Sequence, residues 1–341
     1  MPMNEDAMRS LEWTATLDDA VDALQTSEVP LLIRDEAGEI LGWIGDREVR
    51  RAYLAGLAGT TPVASCMDAH PPTAKDVASA ERLLSASSWL PGVLVEGDPP
   101  TFCTPESAGL PVSLVKEAVL MVGGRGTRLL PLTKETPKPL LPVRGRPILE
   151  HILRHLVSEG IETVHLALGY LASQIEEFVG DGSKFGIRVS YLREDVPLGT
   201  AGAIGLLPEG EPGPLLVMNG DILTDISLRA MAAWHGAESS ALTVAARPHQ
   251  HQIPYGVFRL FDARVVSLEE KPVASFWVNA GIYLMRRTLA ERIPKGRYLD
   301  MTTFIQGLVQ EGESVCVFPL RESWCDIGLP EDYDRVNRED G

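Results

Sequence analysis

Cysteine is scarce in this 341-residue chain, and what there is lies scattered. Cys66, Cys103, Cys316 and Cys325 include no CxxC pair, so neither a zinc site nor a disulfide framework is indicated. Basic charge is also in short supply: 31 Lys and Arg against 47 Asp and Glu leave a net charge of −16 and a pI near 4.9. That balance argues against a nucleic-acid partner, which a basic face would announce. No apolar run approaches the roughly eighteen residues of a membrane span, so no membrane partner is expected. The N-terminus, MPMNEDAMRS, is acidic where a signal peptide would be basic and then apolar, and a reduced, cytoplasmic protein is the expectation. Hexapeptide repeats and coiled-coil heptads are missing too, so no such module is appended.

The charge that is present is unevenly spread. Residues 1–115 hold 7 Lys and Arg against 18 Asp and Glu, whereas residues 116–341 hold 24 against 29. Within 125–146 the sign reverses: Arg125, Arg128, Lys134, Lys138, Arg144 and Arg146 face the single acid Glu135. An acidic protein that concentrates cations in one loop is expected to meet an anion there.

A composition shift suggests two domains, 1–115 and 116–341. PPTFCTPESAGLP lacks periodicity and is rich in Pro, Ser, Thr and Gly, so 99–116 reads as a linker. Before it, Leu17–Leu24 has helical spacing, 29–45 reads as strand, turn, strand, and Asp46–Ala58 as a helix stopped by Gly59. ASAERLLSAS and LPGVLVEGD echo this, giving a small α+β helix–strand–strand–helix unit used twice. After the seam, short apolar runs alternate with amphipathic stretches: AVLMV, TVHLALG, IRVSYL and PLLVMNGD as strands, with helices opened by Pro147 or closed by Gly160 and Gly180. TAGAIGLL is expected to start a helix. This alternation predicts an α/β fold, an open and mostly parallel sheet with helices on both faces. Ligands of such sheets sit beyond the carboxyl ends of the strands.

The loop after AVLMV lies at that edge. It reads Gly123-Gly124-Arg125-Gly126-Thr127-Arg128, followed by Pro137-Lys138-Pro139. It is no Walker loop, and the dinucleotide fingerprint fails because its third glycine would fall on Leu129. Bare glycines nevertheless let backbone N–H groups approach an anion, and Arg128 offers a fork matched to phosphate oxygens. The strand PLLVMNGD delivers Asp221 to the same edge, where a carboxylate beside phosphates suits Mg²⁺. Standing alone, Asp221 and Asp326 would be ordinary turn aspartates, and Arg125 reads as solvent-facing.

GGRGTRLLPLT…PKPLLPV resembles the signature of the sugar-1-phosphate nucleotidylyltransferases. PLGTAGAI, MNGD, EEKP, VNAGIY and WCDIGLPEDY resemble later blocks of that family in the same order, over about 117–337. Only Val122 departs in the first block, where the family usually has alanine. The resemblance implies attack of a sugar 1-phosphate on the α-phosphorus of a nucleoside triphosphate, with pyrophosphate leaving. It places Gly123, Gly124, Gly126, Thr127, Arg128, Gly199 and Thr200 on the nucleotide. Lys138 would bridge toward the reacting phosphates, with Asp221 and Asp326 on Mg²⁺. Lys271 would meet the sugar phosphate, and Gly220, Glu270, Asn279 and Gly281 would line the sugar. Arg128, Lys138, Asp221 and Lys271 would carry catalysis.

Glu194 stands before PLGT, where thymidylyl- and uridylyl-type relatives tend to carry glutamine. A carboxylate only accepts, which suits the adjacent donors of guanine, so GTP is favoured while dTTP and UTP stay open. The sequence resembles the guanylyltransferase branch, and the sugar is not legible. Residues 1–115 resemble a degenerate pair of cystathionine-β-synthase (CBS) domains, clearest in 35–56 and 61–74. Gly45 and Glu48 stand where such units carry adenine-nucleotide ligands, so a structural or dimerising role is expected over a regulatory one, with a homodimer as the assembly. Other readings are a non-catalytic nucleotide-sugar-sensing regulator of the same fold and a molybdopterin-type nucleotidyltransferase. The missing third glycine disfavours a dinucleotide oxidoreductase.

Overall fold

In the computed structural model the described residues are 9–338, apart from 28, 88, 98–99 and 111–114. The chain opens with β1 (Ser10–Glu12), α1 (Leu17–Leu24), β2 (Leu31–Arg34), β3 (Ile40–Ile44) and α2 (Asp46–Leu54). Then come β4 (Thr73–Ala74), α3 (Val77–Ala86), β5 (Val93–Val95) and β6 (Thr101–Cys103). Both halves form three-stranded sheets, in the orders β1-β2-β3 and β4-β5-β6, with the first pair parallel and the second antiparallel. The repeated unit is therefore strand–helix–strand–strand, and among the described residues only the first copy adds a closing helix. The leading strands escape sequence reading because two or three residues carry no period.

Two further expectations are corrected. The stretch expected as a linker contains β6, which pairs with β5 and buries Phe102 and Cys103. Helix α2 ends at Leu54, four residues earlier than expected. Gly56 adopts a left-handed φ of 71° and Leu57 N–H donates back to the Ala52 carbonyl, closing the helix before Ala58. The two small sheets meet through Leu32, Trp43, Leu94 and Phe102, with the two rings edge to face at 5.8 Å.

The second part builds one seven-stranded sheet. Its elements are β7 (Glu117–Met121), a short pair β8 (Pro142–Val143) and β9 (Arg146–Pro147), α4 (Ile148–Ser158), β10 (Thr163–Leu168), α5 (Ala172–Val179), β11 (Arg188–Arg193), α6 (Gly199–Gly202), β12 (Pro214–Asn219), β13 (Ile222–Thr224) and α7 (Leu228–Ala237). There follow β14 (Leu242–Gln252), β15 (Gly256–Phe261), β16 (Arg264–Glu270), β17 (Val273–Arg286), α8 (Arg287–Ala290), α9 (Met301–Gln310), β18 (Val315–Pro319), β19 (Trp324–Asp326) and α10 (Pro330–Arg338). The sheet order is β11-β10-β7-β12-β17-β14-β18. Every pairing is parallel except those of β17, which runs antiparallel to β12 and β14.

Period-two alternation feeds both faces. Ala118 and Leu120 of β7 join one core with Leu153, Ile175 and Trp234, while Val119 joins the other with Ala201, Leu289 and Phe304. Helices cover both faces, as expected. The helix expected from TAGAIGLL shrinks to one α turn running into a 3-10 turn at Ala203–Leu206, tied down by Ala201 and Gly202 N–H groups on the Leu299 carbonyl. Among the described residues no helix is long and apolar enough to cross a membrane.

Candidate active site

Because β7 and β12 are parallel neighbours, with Asn219 beside Met121, their carboxyl ends open side by side. The glycine loop leaves one and Gly220-Asp221 leaves the other. Gly126 has φ +59°, and a Cβ there would sit 2.9 Å from Thr133 Cγ2 and 3.1 Å from Lys138 Cβ. Any other residue would meet both backbone strain and a clash. The Thr133 hydroxyl, buried, donates to the Gly126 carbonyl at 2.8 Å and fixes the turn that presents Thr127 and Arg128. On the inner side, Gly123 and Gly169 pass so closely that a Cβ on Gly169 would lie 2.6 Å from the Gly123 carbonyl oxygen. Nothing local in the sequence marks Gly169 or Thr133 beyond the glycine that ends the strand TVHLALG.

Lys138 is almost fully buried, between two prolines, and its Nζ lies 2.5 Å from Asp221 Oδ2. Asp221 is held in turn by backbone: β13 pairs antiparallel with β19, setting Ile222 opposite Asp326, and Ile327 N–H donates to the Asp221 carbonyl. The two carboxylates are thus brought together from positions 221 and 326 by a two-stranded sheet. Asp326 Oδ1 is buried without a hydrogen-bond partner. Burial, and then the charge of Asp221, push the Asp326 carboxyl above its ordinary value, while Lys138 and Arg128 pull it back. Gly328 sits beside Arg128, where a Cβ would lie 3.5 Å from the guanidinium.

A cavity of about 230 Å³ is lined by Gly124, Gly126, Thr127, Arg128, Lys138, Gly220 and Asp221, with Gly123 and Asp326 outside its lining. A larger one, about 290 Å³, lies where the N-terminal part meets α7, between Trp89, His235 and Arg286. The Arg286 guanidinium is occupied by the Ser239 and Ser240 carbonyls, so the smaller, more polar cavity is the one equipped for an anion.

None of the remaining candidates lines this cavity. Glu194 follows β11, and its Oε2 accepts from Leu198 N–H at 2.8 Å. A Cβ on Gly123 would lie 3.3 Å from its Oε1. Burial raises the Glu194 carboxyl above the usual range, partly countered by the Leu198 N–H. Gly199 (φ +78°) and Thr200 pack on the start of α9, where the Thr200 hydroxyl accepts from Met301 N–H at 2.8 Å. Asp300, also unread in the sequence, lies against both. Asn279 accepts from Gly281 N–H and donates to the Tyr283 hydroxyl. Gly281 presses on Asn219, where a Cβ would be 2.5 Å from Nδ2, so this pair adjoins the Asp221 turn. Glu270 and Lys271 stand exposed at the foot of the β15–β16 hairpin and do not line the cavity. Arg125 is exposed.

A glycine turn and paired carboxylates at the carboxyl edge of an open α/β sheet make an arrangement suited to holding a nucleotide's phosphates. Residues 117–341 match the nucleotidyl transferase family, and the chain belongs to that family. It is 32% identical over 231 residues to the mannose-1-phosphate guanylyltransferase of Mycobacterium tuberculosis, a match covering 64% of this chain and 63% of the relative. It is 34% identical over 225 residues to the mannose-1-phosphate guanylyltransferase catalytic subunit beta of Drosophila pseudoobscura pseudoobscura, covering 63% and 60%. The chain thus spans less than two thirds of the length of these relatives. Among solved structures it is similar to HddC from Yersinia pseudotuberculosis, with 25% identity and a TM-score of 0.51, covering 66% of this chain and 99% of that one.

Proposed function

We propose that the protein is a sugar-1-phosphate guanylyltransferase, which transfers GMP from GTP to a sugar 1-phosphate and releases pyrophosphate. The observation that carries this is the pair formed by buried Lys138 and partly exposed Asp221, with the unpartnered Asp326 oxygen beside it. Mannose 1-phosphate is the first acceptor to test, because the similar proteins above are named for it. The product, a GDP-sugar, suits a cytoplasmic supply to polysaccharide synthesis.

The nucleophile is already an anionic phosphate oxygen, so no general base is required. A bond forms from that oxygen to the α-phosphorus, the bond from the α-phosphorus to the oxygen bridging toward the β-phosphorus breaks, and pyrophosphate departs. What the protein must supply is alignment and neutralisation of two polyanions. Backbone at Gly123, Gly124, Gly126 and Thr127 leaves room for the triphosphate, and Arg128 forks onto its oxygens. Lys138 holds its charge at the reacting phosphates. Lys271 would reach the sugar phosphate from the hairpin foot, with Glu270, Asn279, Gly281 and Gly220 along the sugar. Gly199 and Thr200 close the nucleotide side.

Asp221 and Asp326 are the residues that would hold Mg²⁺. The uncompensated Asp326 oxygen fits a cation, and among the described residues no cluster of three or more His, Cys, Asp or Glu exists to hold one on protein ligands alone. Mg²⁺ characteristically completes such a partial shell with phosphate oxygens and water, and would supply charge neutralisation.

Glu194 is the reader of the base: an acceptor-only group for the adjacent N–H and NH₂ of guanine. We further take 1–115 and 116–341 as two domains, the first a degenerate CBS pair in a structural role. Glu48, at a ligand position of such units, is turned inward to accept from Gly45 N–H at 3.0 Å, and Arg50 is bound to the catalytic part. The experiment is pyrophosphate release across GTP, ATP, dTTP, UTP and CTP against a panel of sugar 1-phosphates with Mg²⁺. GTP should dominate; turnover confined to dTTP or UTP would overturn the guanine assignment.

A further inference from the structure

Asp300 stands at the N-cap position of α9 with extended backbone, yet its side chain caps nothing in that helix. An aspartate there ordinarily accepts from the backbone N–H two or three residues on. Its carboxylate reaches α6 instead. Oδ1 lies 3.4 Å from Thr200 N and 3.5 Å from the Thr200 hydroxyl, and Oδ2 accepts from the Tyr298 hydroxyl at 2.9 Å. In exchange the Thr200 hydroxyl accepts from Met301 N–H at 2.8 Å, so α9 takes its first capping oxygen from a residue far away in sequence.

Backbone stitches the same two segments together. Leu299 N–H donates to the Leu198 carbonyl at 2.8 Å, and the Leu299 carbonyl accepts from both Ala201 and Gly202 N–H. Gly199 comes so close that a Cβ there would lie 2.7 Å from the Leu299 carbonyl oxygen and 2.9 Å from Asp300 Oδ1. Leu198 N–H in turn donates to Glu194 Oε2 at 2.8 Å. A path of hydrogen bonds and one tight turn therefore runs from Asp300 through 198–200 to the Glu194 carboxylate beside Gly123.

We propose that Asp300 is a positioning residue for the nucleotide: it holds the Gly199–Thr200 start of α6, and through Leu198 the Glu194 carboxylate, in the geometry that receives the base. This rests on the guanylyltransferase reading above, which puts Glu194, Gly199 and Thr200 on the nucleotide and gives Asp300 no part. An aspartate diverted from its own helix gives up a local stabilising bond, and what the diversion secures is a turn already ordered before the ligand arrives. Nucleotide binding then has less chain to immobilise, so loss of Asp300 falls on nucleotide affinity and leaves the sugar phosphate side alone.

Isothermal titration calorimetry of the full chain with GTP, UTP or dTTP and Mg²⁺, without any sugar 1-phosphate, tests this. Asp300→Ala should raise the dissociation constant of the preferred nucleotide about tenfold. Asp300→Asn keeps an acceptor oxygen for Thr200 and should restore most of the affinity. Asp300→Ser separates positioning from stability: serine caps its own helix well, so the melting temperature should hold while affinity still falls about tenfold. In turnover, KM for the nucleotide should rise in Asp300→Ala and Asp300→Ser, and KM for the sugar 1-phosphate at saturating nucleotide should not. Unchanged affinity in both variants, an equal rise of the two KM values, or a loss confined to variants that melt earlier would overturn the proposal. A wild type that prefers UTP or dTTP would overturn the guanine reading alone, with Asp300 then judged on that nucleotide. A wild type that binds none of the three would overturn both.

Discussion

On the proposed guanine reading, Glu194 would carry selectivity and a pH signature together. Its carboxyl is raised by burial, so it reaches the neutral form at a higher pH than an ordinary glutamate. Acceptor capacity toward guanine is therefore complete above that raised pKa and is lost as pH falls through it. KM for GTP should rise on acidification before kcat does, and Glu194→Gln should remove most of that dependence. The amide replaces one acceptor by a donor, which should cost GTP roughly 1–3 kcal/mol of preference, about a fivefold to 150-fold loss of selectivity against UTP. Competition between the two nucleotides measures it. The identity of Glu194 was readable from sequence, but its Leu198 contact and its closeness to Gly123 depend on a turn that brings residue 194 back to residue 123. Thr133 and Asp300 were invisible for the same reason: each acts through a hydrogen bond to backbone or side chains seven to a hundred residues away.

At the scale of elements, strands and helices of five or more residues were legible because a period of two or 3.6 has room to show. The elements that escaped were shorter, among them β1, β4, β6 and the β13–β19 pair. That last pair matters most, since it sets two carboxylates side by side that sequence order separates by 105 positions. The hairpin foot is the counter-example, with Glu270 and Lys271 in a recognisable block yet outside the cavity that the glycine loop defines. Helix α7 offers an independent test of packing. His235 is pushed down to about 4 by burial and, second, by Arg286, and its Nδ1 lies 2.8 Å from the buried Thr243 hydroxyl. The unfolded chain takes up the proton near the ordinary value, so stability from this site is complete above about pH 6.5 and falls as pH drops toward 4. Between pH 7 and 5 the loss should be about 2 kcal/mol, and His235→Gln should abolish that part of it in urea titrations at the two pH values.

The whole molecule is joined by side chains that no local pattern foretold. Arg50 of α2 is buried, donates to the Pro319 carbonyl, pairs with Glu322 at 2.5 Å and lies 4.1 Å from the centre of the Phe318 ring. Arg51 reaches Glu238, Arg229 reaches Glu106, and Tyr53 meets Trp277 edge to face. Removing Arg50 would strand Glu322 in this seam, and Arg50→Ala should lower unfolding stability by about 3–5 kcal/mol. Urea or thermal unfolding reads it, and a near-neutral result would mean the seam is loosely packed. Glu322 lies four residues before Asp326, so the N-terminal part grips the loop that carries a candidate metal carboxylate. The measurement that bears most directly on the proposed reaction is product analysis after incubating the full chain with GTP, mannose 1-phosphate and Mg²⁺. A GDP-sugar should form in equal amount to pyrophosphate, and Asp221→Asn should lose about a hundredfold or more of that turnover while remaining folded. Absence of a GDP-sugar with any sugar 1-phosphate, or an undiminished rate in Asp221→Asn, would contradict the account.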